Sequence, residues 1–245
     1  MATTSSGVAA ATPRSEPSRA RHGNALRAAV LGATDGLVSN LSLVMGVAGS
    51  GAPRETILVA GLAGLVAGSL SMALGEYLSV QSSRELLSNE LRIEAGQLEA
   101  SPDAEIAELE AIYAEKGVPE ETASELAEHM VRSSPKLALD TMAREELGID
   151  PNELGGSPWV AAGTSLALFA GGAIVPLLPF LVAAGQPALV AAAVLSGIAI
   201  FALGAGITRL TGLHPVRSGL RQLAFAAAAA AITYGVGLFV GTAIL

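Results

Sequence analysis

Residues 57–80 read ILVAGLAGLVAGSLSMALGEYLSV, a run of 24 residues in which Glu76 is the one charged side chain. A helix needs roughly 20 residues to cross a hydrocarbon layer of about 30 Å, so this run is long enough to span a membrane. Four further apolar runs have similar lengths, and backbone amides in lipid need internal hydrogen bonds. The sequence therefore predicts five transmembrane helices, over residues 26–48, 57–80, 159–183, 188–207 and 223–245.

Charge is concentrated between the second and third apolar runs. Charged residues make up 15% of the 245, yet residues 81–156 hold 18 of the 22 acidic and 6 of the 14 basic side chains, a balance of −12. An acidic segment on a mildly basic membrane body argues against nucleic-acid binding and suggests that cations collect there. The chain has no cysteine, which excludes disulfides and thiolate metal sites.

Breakers and caps give the domain organisation of an all-α membrane protein. Ser101-Pro102, Val118-Pro119 and Pro135 each predict the start of a helix, and Gly117 and Gly148 each predict a stop. The acidic segment is therefore a helical domain inserted between transmembrane helices 2 and 3. The predicted parts are a disordered cytoplasmic tail (1–24), transmembrane helices 1 and 2 (25–81), the cytoplasmic acidic helical domain (82–156) and transmembrane helices 3 to 5 (157–245).

Arginines in the short flanks predict the orientation. Those before the first run and between the fourth and fifth runs outnumber Arg54, which stands alone between the first two. By the positive-inside rule, the N-terminus and the acidic domain are cytoplasmic and the C-terminus is outside. The short chain without sorting signals suggests a bacterial plasma membrane. The cytoplasmic arginines are Arg14, Arg19, Arg21, Arg27, Arg209, Arg217 and Arg221.

Asp35 is an ionisable residue inside the first apolar run. A carboxylate at bilayer depth costs roughly 2.5–3.5 kcal/mol on insertion scales, so it marks a helix end with water access, a structurally paired side chain, or a cation or proton site. Met72 and Glu76 share a face of the second helix, and rise per residue puts Met72 level with Asp35. A methionine side chain in a helix usually serves only in packing. A thioether beside carboxylates, however, favours a transition metal such as Fe²⁺, Mn²⁺ or Co²⁺.

The acidic domain repeats this combination of carboxylate and thioether. Glu105 and Glu108 lie three apart on one helix face, Met142 and Glu146 lie four apart on another, and Glu94 lies near the end of the first helix. Charged residues on helices usually form a solvated face, so each Glu could also be a solvent-exposed residue with no role in binding.

The features of an enzyme are missing from the sequence. It has no Ser/His pair within the apolar runs and no His-Glu-x-x-His motif, and His214 falls in a loop, so we expect no enzymatic activity.

The strings ATDGLVSNLSLVMGVAG, GLVAGSLSMALGEYLSVQS, PDAEIAELEAIYAEKG and MAREELG resemble the vacuolar iron transporter family over residues 25–245. The resemblance implies a homodimer of five-helix protomers that exchanges divalent metal for protons. It also implies a transport pathway and a metal-collecting domain, with Gln97 standing where the family often has a further Glu. The implied pathway residues are Asp35, Met72 and Glu76, and the implied metal ligands are Glu94, Glu105, Glu108, Met142 and Glu146.

Two functions follow as hypotheses. The first is proton-coupled export of Fe²⁺, or of Mn²⁺, from the cytoplasm, with no permanently bound cofactor and with metal ions, protons and the lipid bilayer as partners. The alternative is a membrane-anchored metal sensor or buffer that binds metal without transporting it. An ionisable Asp35 within the lipid favours the first, because an anchor alone has no use for it.

Overall fold

The structure, a computed structural model, describes residues 17–152 and 154–244, and every regular element in those ranges is a helix. Within these ranges, five helices are long and apolar enough to cross a membrane, which confirms the predicted number of spans. The helices are α1 (Pro17–Gly49), α2 (Arg54–Ala100), α3 (Pro102–Glu115), α4 (Glu120–Ser133), α5 (Pro135–Glu145), α6 (Pro158–Ala173), α7 (Leu178–Val182), α8 (Gly185–Gly206), α9 (Thr208–Thr211) and α10 (Pro215–Ile244).

The first helix begins earlier than the apolar pattern indicates. Most of the tail predicted for residues 1–24 lies outside the described residues, but residues 17–24 belong to α1. Hydropathy detects only the apolar part of a helix, so it does not detect a polar N-terminal extension of the same helix.

Helix α2 extends from the membrane into the acidic domain without interruption. Its 47 residues span about 70 Å at 1.5 Å per residue, more than twice the hydrocarbon thickness. The apolar part ends near Val80, and the following 20 residues form the first helix of the acidic domain, as the lack of a breaker predicts. The second span and the first helix of the acidic domain are therefore one continuous helix.

The third span is broken, as Pro176 and Pro179 predict. Helix α6 ends at Ala173, a 3₁₀ turn covers Val175–Leu177, and α7 completes the span. Arg54, at the start of α2, donates hydrogen bonds from Nε and one terminal nitrogen to the carbonyl oxygens of Phe180 and Leu181, at 2.5 and 2.7 Å. This arginine satisfies carbonyls that the end of α7 leaves free.

Glycines allow the spans to approach closely. A methyl group on Gly172 of α6 would overlap the Ala33 carbonyl oxygen of α1, and one on Gly237 of α10 would overlap the carbonyl oxygen of Gly46. Gly64 and Gly68 of α2 face Leu43 and Phe169 of the same chain. The GxxxG pairs therefore serve packing within one protomer, where small residues let backbones meet.

The acidic domain has its own apolar core, formed between α3, α4 and α5 and the end of α2. Helix α5 begins with Pro135, and the Ser134 hydroxyl accepts a hydrogen bond from the Leu137 amide at 3.2 Å. Ser101 precedes Pro102 at the start of α3 in the same way, but its side chain makes no such bond. The buried core residues are Leu109, Tyr113, Ala123, Ala127, Val131 and Met142.

Ion pairs join the helices around this core. Arg132 of α4 lies 2.6 Å from the Asp103 carboxylate of α3, and Lys116, just after α3, pairs with Glu145 of α5. Exposed pairs of this kind contribute little each, on the order of 0–1 kcal/mol. The apolar core is therefore the main source of the domain's stability.

Candidate functional site

A cavity of about 350 Å³ lies within the apolar spans, between α1, α2 and α6. Asp35 and Met72 both line it, so the structure brings together the carboxylate and the thioether that the sequence predicts at one level. The other lining residues are Ser39, Asn40, Leu43, Gly64, Gly68, Ser71 and Phe169.

The position of Met72 against α1 agrees with this. A methyl group built on Gly32, one turn before Asp35, would lie 3.5 Å from Met72 Cε. Gly36, which follows Asp35, packs so closely on the Phe169 backbone that no side chain fits there. Asp35 therefore sits on a segment of α1 whose distance from α6 is set by glycine, with Met72 of α2 in van der Waals reach.

Hydroxyl and amide groups line the cavity together with the carboxylate. The Ser39 hydroxyl lies 3.0 Å from Asp35 Oδ1 and donates to it, and it also reaches the Asp35 carbonyl oxygen at 2.5 Å. Asn40 is 2% exposed, and its Nδ2 donates to the Ala173 carbonyl oxygen at 2.5 Å. Oxygen atoms on one wall and a sulfur atom on the other make a mixed ligand set that suits a divalent transition metal.

Glu76 does not line this cavity, although it shares a helix face with Met72. Its side chain is half-buried one turn further along α2. The cavity opens on the surface of the protomer, where Asp35, Ser39 and Ser71 are exposed. A role for Glu76 in the pathway stays a prediction.

The acidic domain contains a second constellation. Glu94 of α2, Glu105 of α3 and Glu146, just after α5, each present a carboxylate oxygen, and these atoms lie within 4.8 Å of one another. Glu94 is 2% exposed and Glu105 is 4% exposed. One oxygen of each of these two residues is buried without a hydrogen-bond partner among the described residues. Three carboxylates at this spacing form a suitable cage for a divalent cation.

Crowding of like charges perturbs these groups. Burial, and then repulsion by Glu146 and Glu105, raises the pKa of Glu94 from 4.5 to about 7. Burial, and then the charge of Glu108, raises the pKa of both Glu105 and Glu146. The cluster therefore holds a proton near neutral pH, and this proton reduces the repulsion between the carboxylates. A bound cation would reduce the same repulsion in its place.

The remaining predicted ligands lie at the edge of this cluster. Glu108 is exposed, one turn after Glu105, and acts on the cluster through its charge. Met142 is fully buried in the domain's apolar core, where its side chain contributes to packing. Gln97 is exposed and does not belong to the carboxylate cluster. Ligation by Glu108 or Met142 stays a prediction.

Sequence reasoning missed the polar residues that line the cavity beside Asp35. Ser39 could have been found, because it lies four residues after Asp35 and therefore on the same helix face. Asn40 has no such signal, since its environment depends on a carbonyl 133 residues away.

Known proteins resemble the chain over most of its length. The model of the VIT family matches residues 26–238. The chain is 33% identical to the protein named vacuolar iron transporter 2 of Oryza sativa subsp. japonica, covering 87% of this chain and 86% of that protein. It is 32% identical to vacuolar iron transporter 1 of Arabidopsis thaliana (86% and 84%) and 38% identical to the vacuolar iron transporter of Acanthamoeba castellanii (86% and 77%).

Proposed function

The chain belongs to the VIT family, and from this premise we propose that it exports Fe²⁺, or Mn²⁺, from the cytoplasm in exchange for protons. It is a multi-pass membrane protein, and its family and the names of its relatives indicate metal-ion transport. The acidic domain would collect the metal at the cytoplasmic entrance, and Fe²⁺ is the ion that the relatives' names favour.

One observation carries the proposal, namely the cavity that Asp35 and Met72 share within the spans. A carboxylate must lose its proton to bind a metal ion, so metal and proton compete for Asp35. If the cavity opens alternately to the two sides of the membrane, Asp35 carries metal in one direction and a proton in the other. The Met72 thioether favours Fe²⁺ over the hard ions Mg²⁺ and Ca²⁺.

The carboxylate cluster supports the role of the acidic domain. Glu94, Glu105 and Glu146 offer three oxygens within 4.8 Å of one another. A domain with a balance of −12 raises the local concentration of cations, and a carboxylate cage binds them reversibly. Since α2 is continuous from Glu94 to Met72, cluster and cavity are joined by one helix.

The proposed orientation has the N-terminus and the acidic domain in the cytoplasm and the C-terminus outside, in the plasma membrane. Arg209, Arg217 and Arg221 flank the connection between α8 and α10, on the side of the membrane that also carries the acidic domain. Arg54, on the opposite side, is engaged by the carbonyls of α7.

The proposed assembly is a homodimer. Asp35, Ser39 and Ser71 are exposed at the surface of one protomer inside the spans. Facing lipid, an ionised Asp35 would be costly. A second copy placed over this face would cover the carboxylate and turn the open cavity into an enclosed pathway between protomers.

Flux into liposomes tests the proposal. Purified full-length protein in vesicles with a pH gradient should carry Fe²⁺ into the lumen and change the lumenal pH as it does so. Asp35→Ala should abolish both signals. Ser196→Ala, a substitution of a buried hydroxyl on α8 away from the cavity, should abolish neither. Full transport by Asp35→Ala would remove that residue from the mechanism.

The carboxylate cluster also favours a second function, a membrane-anchored metal sensor or buffer. This alternative predicts that full-length protein binds Fe²⁺ in detergent while vesicles containing it show no metal flux under any gradient. Binding and flux measured on the same preparation therefore separate the two functions.

A further inference from the structure

Asn40 is a buried amide in the wall of the cavity, and its geometry is fixed by the broken third span. Its Nδ2 donates to the Ala173 carbonyl oxygen, at the end of α6. In an unbroken helix that oxygen would accept from Leu177, but the Leu177 amide donates to Ile174 in the 3₁₀ turn. Pro176 has no N–H to offer. The proline break thus frees a carbonyl, which Asn40 then satisfies.

This bond also fixes which way the amide points. A carbonyl oxygen accepts only, so the Nδ2 end must face Ala173 and the Oδ1 end must face the other way. Oδ1 lies towards Gly64 of α2, since a methyl group on Gly64 would come within 3.0 Å of it. Asn40 and Gly64 both line the cavity with Asp35.

Oδ1 is buried and has no hydrogen-bond partner among the described residues. Buried carbonyl oxygens are nearly always paired, and an unpaired one is costly. Asn40 lies five residues, about 7.5 Å along the helix axis, beyond Asp35 on the side away from the N-terminus of α1. An oxygen with a free lone pair therefore lies in the wall of the cavity, further along α1 from its N-terminus than the carboxylate.

We propose that Asn40 Oδ1 is an oxygen ligand that receives the cation after Asp35 and tunes the choice of metal. This rests on the proposed function, because it assumes that a cation enters the cavity. An amide oxygen is a hard, neutral ligand that suits Mn²⁺ better than softer ions, whereas the Met72 thioether favours the softer ions. Asn40 therefore extends the range of the site towards Mn²⁺.

The test uses two substitutions of the same residue in full-length protein in vesicles. Asn40→Leu removes the oxygen and the Nδ2 donor, whereas Asn40→Asp keeps oxygen and removes the donor. We expect Asn40→Leu to raise the half-saturating Mn²⁺ concentration about tenfold, as loss of a contact to a charged group predicts, with a smaller change for Fe²⁺. Asn40→Asp should keep Mn²⁺ transport within about threefold of wild type, since an oxygen ligand remains.

Ser196→Ala is the control, since Ser196 is fully buried, has no hydrogen-bond partner in the described part of the chain, and lies outside the cavity wall. Equal Mn²⁺ and Fe²⁺ saturation in wild type and Asn40→Leu would overturn the proposal. Loss of transport in Asn40→Asp equal to that in Asn40→Leu would also overturn it, because the donor to Ala173 would then be the part that matters.

A binding measurement separates this proposal from the proposed function. In full-length protein with Glu94→Gln and Glu105→Gln, equilibrium dialysis with radioactive Mn²⁺ reports on the cavity without the carboxylate cluster. If wild-type vesicles carried no metal, the proposed function would fail. Dialysis would then still support the Asn40 ligand if Asn40→Leu weakened binding, and overturn it if binding were unchanged.

Discussion

Glu94 and Glu146 stand 52 positions apart in the sequence, yet their carboxylate oxygens come within 4.8 Å of each other, and a Glu105 oxygen lies within the same distance of both. The packing of α3 and α5 against the end of α2 brings them together. Gathering three carboxylates, of which those of Glu94 and Glu105 are buried, opposes folding, and the raised pKa of Glu94 reflects that cost. A cation at this point would turn the repulsion into attraction.

Replacing Glu94 with glutamine should therefore have opposite effects on stability and on metal binding. Glu94→Gln removes a charge from the cluster, so we expect the metal-free protein to melt at a higher temperature at pH 8. The same variant should bind Fe²⁺ or Mn²⁺ about tenfold more weakly or worse, since a charge-assisted ligand is lost. Glu125→Gln, at an exposed position in the middle of α4, is the control and should change neither. A stabilised variant with unchanged affinity would place the metal elsewhere.

Metal binding to the acidic domain should depend on pH around neutrality. The pKa of Glu94 is about 7, so the metal competes with a proton below that pH. We expect Mn²⁺ affinity to rise as pH increases from 6 to 8 and proton release to decline over the same range. Titration calorimetry in buffers of different ionisation enthalpy counts the released protons. In Glu94→Gln the pH dependence should be much weaker, and an equally steep dependence there would assign the proton to another group.

The same group predicts how the stability of the metal-free protein changes with pH. The folded protein holds a proton on Glu94 more tightly than the unfolded chain, whose value is near 4.5. This contribution to stability is therefore complete below pH 4.5 and is lost as pH rises through about 7. We expect the melting temperature of metal-free wild type to fall relative to Glu94→Gln between pH 5 and pH 8. Parallel curves for the two proteins would contradict the assignment.

Part of this architecture could be predicted from local sequence. The five spans follow from hydropathy, the break in the third span from Pro176 and Pro179, and the continuity of α2 from the absence of a breaker before Ser101. These properties depend on residues within one or two turns of each other, which is the range over which sequence patterns are informative.

What could not be predicted depends on contacts between distant segments. Nothing in the sequence near Asn40 distinguishes it from other asparagines. Its role depends on the Ala173 carbonyl, which Pro176 leaves without a helical partner and which the fold places beside Asn40. Met142 shares a helix face with Glu146, but whether it points at metal or into a core is decided by α3 and α4, which bury it. Helical periodicity predicts which face of a helix carries a residue. It does not predict which other helix packs against that face.

Close packing between α1 and α6 should be sensitive to a single methyl group. Gly172 abuts the backbone of Ala33 and Leu37, so Gly172→Ala must push the two helices apart, at a cost of about 1–3 kcal/mol. Gly163→Ala, in the same helix, has open space around its Cβ and should leave the melting temperature in detergent unchanged or raise it. Equal effects of the two variants would mean that α1 and α6 are not in backbone contact at Gly172.

The polar face around Asp35 should lie against a second protomer. Ser71 is exposed on this face within the span, and the chain contains no cysteine, so Ser71→Cys gives a single thiol in a clean background. Two copies of a C₂ dimer place the same residue on both sides of the axis, so residues near the axis lie close to their own copies. We expect oxidation in native membranes to convert a large share of Ser71→Cys to a disulfide-linked dimer. Ile198→Cys, 63% exposed on α8, should stay monomeric because that face meets lipid. If the Ile198→Cys protein cross-linked and Ser71→Cys did not, the protomers would contact each other through another face. The Asp35 carboxylate would then be shielded from lipid by something other than the second protomer.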